Sequence, residues 1–292
     1  MAYRRLKLAE GFVEYLVGGA EDAPDLLVIH PGTPNAAVQW HGLNRAAAAA
    51  GIRVAGYSRG GYGTSTRQEG RSVADDAAIT AALADALGYE RFFVAGWSGG
   101  GAMALATAAL VPDRVRACVT LASIAPRLEA GAAAEAFHTP EQRKEWDEGA
   151  EGDMAKLIPD FEGAVGFFSH VTARKLRAIG GPLDARGERY DVVNNIDRDL
   201  VRSMRRAVST GYFGFLDDNL AQAREWGFRV ADIRVPVVVR HGGVDKLVKE
   251  AQGRWLAETI PGARGVFISD AGHGSICVPW SEVLDDLRRA AR

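Results

Sequence analysis

The chain has 292 residues, of which 47% are hydrophobic, 8% aromatic and 25% charged, a balance that suits a folded chain with a substantial core. A formal net charge of −2 and a pI near 6.3 supply no basic field for nucleic acid or an anionic membrane. Two cysteines, Cys118 and Cys277, exclude a disulfide framework and a four-ligand zinc site; both sit in apolar contexts and are expected as small buried hydrophobes. The opening MAYRRLKLAE leads into no apolar run, and AMALATAALV at 102–111 is too short to span a bilayer. A reduced, cytoplasmic, soluble chain is expected. Its oligomeric state is not legible.

In chain order, 3–8 and 12–17 alternate like a strand pair with Gly11 near the turn. LLVIH (26–30) is a short continuous apolar run, the pattern of a strand covered on both faces. Residues 36–50 are helix-compatible up to Gly51, and IRVAGY (52–57) is the next buried strand. A helix is expected over 72–87, where Ser72, Asp75 and Asp76 give a start signal and Gly88 a stop. RFFVAG (91–96), an Ala-rich helix 99–110 stopped by Pro112, and RVRACVTLA (114–122) follow. Strands alternating with helices predict a mostly parallel sheet with right-handed crossovers.

That rhythm breaks after Pro126. Residues 127–211 read as charge-rich helical segments (141–157, 164–179 and 196–209) punctuated by Gly131, Gly149, Gly163 and Gly180–Gly181. Alternation resumes with VPVVVRH (235–241), a helix near 249–259, GVFIS (265–269) and an amphipathic helix 280–291. The expected organisation is one α/β core, 1–126 plus 212–292, interrupted by a helical insertion at 127–211.

The chemistry centres on Gly96-Trp97-Ser98-Gly99-Gly100, a G-x-S-x-G between a buried strand and an Ala-rich helix. A serine on so sharp a turn takes a strained backbone, which requires small neighbours. A hydroxyl becomes a nucleophile only beside a base that a third group orients. Among the six histidines, only His273 lies in a loop after a strand and downstream of a candidate acid; His30, His41, His138, His170 and His241 lie in other settings. Asp245, just past VPVVVRH, suits the acid, which accepts the Nδ1 proton and fixes the tautomer. Asp270 is the rival, only three residues before His273, a spacing more typical of a local turn contact.

HPGTP (30–34), SRGGYGTS (58–65), GWSGG (96–100), GGVD (242–245) and GH (272–273) occur in the order seen in α/β-hydrolase-fold serine hydrolases, which the chain resembles over most of its length. The resemblance implies Ser98 as nucleophile, Asp245 as acid and His273 as general base. It implies an oxyanion hole from the N–H of Gly99 and of one HPGTP residue, with 127–211 as the cap. The early loop departs from the family's usual H-G-x-P: Pro31 has no N–H to give, so Thr33 is the chosen donor and Gly32 the alternative. Ser58-Arg59 replaces a common Asp-Arg; Arg59 is expected to structure its loop and receives no catalytic role.

Serine at the elbow argues against epoxide hydrolases and haloalkane dehalogenases of this fold, which use aspartate there. The expected reaction is hydrolysis of an ester, thioester, lactone or amide of a small, partly apolar substrate. C–C bond hydrolysis and proline-iminopeptidase-like aminopeptidase activity are the alternatives, and a non-catalytic ligand-binding member is the competing class. Trp97, Phe137, Phe167 and Phe168, with Trp40, Tyr212 and Phe213, are candidate pocket walls, although ordinary core packing explains any one of them. Glu129, Glu135, Glu145 and Glu162 are the carboxylates available to an aminopeptidase cap. No cofactor or metal is expected, since H-E-x-x-H, P-loop and G-x-G-x-x-G patterns are lacking.

Overall fold

A computed structural model describes residues 2–139, 143, 147, 151, 154–178 and 196–292. Eight strands form one sheet: β1 (Arg4–Lys7), β2 (Phe12–Gly19), β3 (Asp25–His30), β4 (Ile52–Tyr57), β5 (Phe92–Trp97), β6 (Val115–Leu121), β7 (Val237–Gly242) and β8 (Arg264–Ile268). Their spatial order is β1-β2-β4-β3-β5-β6-β7-β8, with β2 antiparallel to both of its neighbours, β1 and β4, and the other pairs parallel. The helices are α1 (His41–Ala50), α2 (Asp76–Ala86), α3 (Gly100–Leu110), the short α4 (Arg127–Ala130), α5 (Met154–Ser169), α6 (Ala173–Ala178), α7 (Ile196–Ala207), α8 (Phe213–Ala223), α9 (Glu250–Thr259) and α10 (Trp280–Ala290). This is the doubly covered, mostly parallel sheet expected of an α/β-hydrolase fold.

The continuous apolar strands face two cores at once because successive side chains alternate across the pleat. Leu26 and Val28 of β3, with Phe92 and Val94 of β5, pack among α2, α3 and α9. Leu27 and Ile29, with Phe93 and Ala95, pack on the other face among α1, α7 and α10. Each fully buried aliphatic side chain contributes about 1.5–3 kcal/mol. Helix α3 is buried all along Gly100–Ala108, which accounts for its small residues. Both cysteines are buried and free, as expected.

Several boundaries differ from the sequence reading. Helix α1 begins at His41 rather than 36; the segment before it is tied to distant residues, Ala36 N–H to Ser203 O and Ala37 N–H to Ser58 Oγ. Its first amide is taken instead by Asp199 of α7, whose Oδ2 accepts from His41 N at 2.8 Å. The segment 164–179 is divided between α5 and α6. The expected helix 141–157 falls largely outside the described residues, as do Gly149, Gly180–Gly181 and Glu145. Helix α8 was not anticipated. Among the described residues no helix is long and apolar enough to cross a membrane.

Candidate active site

The loops that follow β3, β5, β7 and β8 leave from the carboxyl ends of parallel strands, where ligands of open α/β sheets bind. Ser98 follows β5 with φ of 56°, the left-handed region that a side chain enters only under strain, costing on the order of 1–3 kcal/mol. Its N–H is tied to Leu121 O at 2.9 Å and its carbonyl takes Gly101 N–H at 2.9 Å. The turn has no room for side chains at its ends: a Cβ on Gly96 would sit 2.2 Å from Gly100 O, and one on Gly100 would sit 2.4 Å from the carbonyl oxygens of His30 and Pro31.

The HPGTP loop runs beside this turn because β3 and β5 are neighbours, with His30 paired to Gly96. A Cβ on Gly32 would lie 2.9 Å from Ser98 Cβ, so the loop abuts the serine. Among the described residues the amides of Gly32, Thr33 and Gly99 donate to no protein acceptor, although Gly32 and Gly99 are buried. Buried backbone donors are ordinarily paired, and unpaired ones flanking a serine suit a ligand oxygen.

Asp245, in the loop after β7, places Oδ2 2.8 Å from His273 Nδ1. Its Oδ1 takes the amides of Leu247 at 2.8 Å and Val248 at 3.0 Å. Burial pushes the Asp245 carboxyl up, but His273, the Val248 amide and His241 outweigh it and hold the group below the usual carboxylate range. His241, 3.7 Å from Asp245, is itself pushed down by burial; its Nε2 bonds Val248 O at 2.9 Å. The His273 carbonyl accepts Trp97 Nε1–H at 2.8 Å, and the two rings lie 5.0 Å apart between centroids. Trp97, the residue preceding Ser98, thus ties the histidine loop to the serine turn.

Of the expected pocket aromatics, Trp97, Phe167 and Phe168 share one core, whereas Phe137 is buried in the other, edge-on to Trp255 at 6.1 Å. Phe168 meets Phe167 at 5.2 Å and Phe215 at 5.8 Å. Among the candidate carboxylates, Glu129 takes Val230 N–H at 3.1 Å, Glu135 pairs with Arg143, and Glu162 is exposed.

Sequence reasoning missed a buried polar cluster under the HPGTP loop. Asp218 of α8 and Arg59 both have fully buried side chains. Arg59 Nε lies 2.9 and 3.1 Å from the two Asp218 oxygens, its Nη2 also reaches Asp218, and Arg71 joins from a third direction. Tyr62 OH donates to Asp218 at 2.9 Å and Thr33 Oγ1 donates to it at 2.7 Å. Burial works against the Asp218 charge, but Arg59 and Arg71 overcome it and hold the carboxyl far below its ordinary range. The available signal was the Asp217-Asp218 pair, yet nothing in a single sequence connects it to Arg59.

The chain belongs to the alpha/beta hydrolase fold family, whose model matches residues 25–277. Structurally it is similar to the enol-lactonase from Burkholderia xenovorans LB400, with 21% identity, 98% of this chain and 100% of that one covered, and a TM-score of 0.70. The bromoperoxidase from Bacillus anthracis gives 20% identity, coverage of 99% and 100%, and a TM-score of 0.72. A thermophilic esterase from Thermogutta terrifontis gives 18% identity, full coverage of both chains and a TM-score of 0.69. No curated protein sequence matches the chain.

Proposed function

We propose that the protein is a serine hydrolase acting on an ester, thioester, lactone or amide of a small, partly apolar substrate. The observation that carries this reading is the pairing of His273 with Asp245 at 2.8 Å, with the His273 carbonyl bonded to Trp97, the neighbour of a serine held at φ 56°. Asp245 occupies Nδ1 of the imidazole and so leaves Nε2 to accept the Ser98 proton. Ser98 Oγ then attacks the acyl carbon, and the carbonyl oxygen takes the charge. Gly99 N–H and Thr33 N–H, with Gly32 N–H as the alternative second donor, stabilise that oxygen; one such donor contributes about 3–4 kcal/mol to the transition state. His273 returns its proton to the leaving group. Water, deprotonated by the same imidazole, releases the acid and restores Ser98.

The helical stretch 127–211 is proposed as the cap, with Trp97, Phe167 and Phe168 as apolar contacts for the acyl or alcohol part. The near-neutral chain suits an uncharged or weakly charged substrate. The enol-lactonase and esterase among the structural neighbours use the same fold, which agrees with acyl transfer without selecting a substrate.

Ser98→Ala is expected to abolish both hydrolysis of a short p-nitrophenyl ester and labelling by a fluorophosphonate probe. Activity that survives this change sinks the assignment. A panel of esters, lactones, aminoacyl amides and C–C hydrolase substrates then ranks the bond types.

A further inference from the structure

We propose that Arg59 and Asp218 are positioning residues for the oxyanion loop, turning the amides of Gly32 and Thr33 toward Ser98; this rests on the serine-hydrolase reading above. Arg59 Nη1 donates to Pro31 O at 2.7 Å and Nη2 donates to Gly32 O at 3.1 Å. The peptide bonds on either side of Gly32 are trans. In a trans peptide the C=O and the following N–H point in opposite directions. Pro31 O facing the guanidinium therefore turns Gly32 N–H away from it, and Gly32 O does the same to Thr33 N–H. In an extended chain successive carbonyls alternate sides. Here both meet one guanidinium, so two successive N–H groups leave on the opposite side, the arrangement that makes a concavity for an anion. The serine lies against this loop, 2.9 Å from the Cβ position of Gly32.

Arg59 aims the loop only if the guanidinium itself is fixed, and Asp218 fixes it. The carboxylate engages the Nε–Nη2 edge of the guanidinium and is held in turn by Arg71 and Tyr62. The Thr33 hydroxyl locks the loop to the same carboxylate. It donates to Asp218 and accepts from Arg59 Nη2 at 3.2 Å and Gln222 Nε2 at 3.1 Å. One donor and two acceptor sites exhaust a hydroxyl, so Thr33 has only its backbone N–H to offer a substrate. Asp218 and Gln222 both belong to α8, which follows the helical stretch 127–211 in the chain. The helix leaving the proposed cap thereby sets the geometry of the oxyanion loop.

Arg59→Lys keeps a cation opposite Asp218 but cannot span the carboxylate and two carbonyls. In a folded variant, kcat for a short p-nitrophenyl ester is expected to fall about 100-fold with KM within threefold of the parent. The inhibition constant of a trifluoromethyl ketone, whose adduct carries the same oxyanion, is expected to rise by a similar factor. A folded Arg59→Lys with kcat within threefold, or with the loss confined to KM, overturns the proposal. Should that variant fail to fold by circular dichroism, Thr33→Val decides: about a tenfold fall in kcat at constant KM is expected, and kcat within twofold overturns. A parent protein that neither hydrolyses the ester nor takes the fluorophosphonate overturns the hydrolase reading itself. An active parent with insensitive variants removes only the role of Arg59 and Asp218.

Discussion

Asp245 is shared between His273 and its own loop: one oxygen faces the imidazole at 2.8 Å while the other takes the amides of Leu247 and Val248. The three bonds orient the carboxylate without any long side chain, and they keep it ionised. Asp245→Asn should preserve this loop while removing the charge. An amide NH₂ facing Nδ1 makes that nitrogen an acceptor, which puts the imidazole proton on Nε2, where the proposed mechanism delivers the serine proton. We expect kcat to fall by about 10⁴ with unchanged circular dichroism; steady-state kinetics on the purified variant checks this, and a loss below tenfold contradicts the assigned role.

His30 carries a pH dependence into the core. It is buried against Tyr57, with ring centroids 5.5 Å apart, and Nε2 lies 3.3 Å from Thr80 Oγ1. Burial, reinforced by the nearby Arg59 charge, pushes its pKa down from 6.5 to about 3. The unfolded chain therefore binds a proton that the folded chain refuses, and stability present above pH 6.5 is lost as pH falls toward 3. Linkage puts the loss at about 4 kcal/mol by pH 3. Asp218 acts in the same direction but in another window: its depressed carboxyl costs stability only below the ordinary carboxylate value of 3.8. Urea unfolding of the parent and of His30→Gln between pH 7 and 4 should show a stability difference that narrows on acidification. A pH-independent difference contradicts this account.

Two glycine replacements should move stability in opposite directions. Gly100→Ala drives a methyl to 2.4 Å from the backbone oxygens of His30, at the end of β3, and of Pro31, which Arg59 holds, and overpacking of this kind costs about 1–3 kcal/mol or more. Gly163→Ala, on the exposed face of α5 with nothing within 4 Å of the new methyl, should gain about 0.5–1 kcal/mol from helix propensity. Thermal melts of the two variants test both signs.

The core strands and the elbow were legible because their signals are local. LLVIH reads as a strand covered on both faces and RFFVAG as a buried strand from their apolar runs, and Ser98 announces its turn through Gly96 and Gly100. Helix α8 was not legible, for a physical reason. Its central Asp217 and Asp218 are 3% and 0% exposed, so charges occupy positions where a pattern-based reading requires apolar residues. Their burial depends on Arg67, Arg59 and Arg71, brought about 150 residues across the chain. Arg59 illustrates the same limit: the sequence reading allowed that it structures its loop, whereas its bonds to Pro31 and Gly32 appear only once β3 and β4 lie side by side. The segment before α1 likewise depends on distant residues, since the amides of Ala36 and Ala37 are bonded to Ser203 and Ser58.

The indole of Trp97 does more than anchor the His273 carbonyl. It meets Trp40 edge-on at 5.7 Å, and Trp40 in turn meets Trp280 at 5.5 Å. Three of the six tryptophans of the chain thus form a relay of rigidly crossed chromophores that ends against the histidine. Crossed indoles at this range couple their transitions, so the near-ultraviolet dichroism of the protein carries a signature of the elbow itself. The turn at Ser98 has a built-in optical gauge, readable without substrate, probe or label.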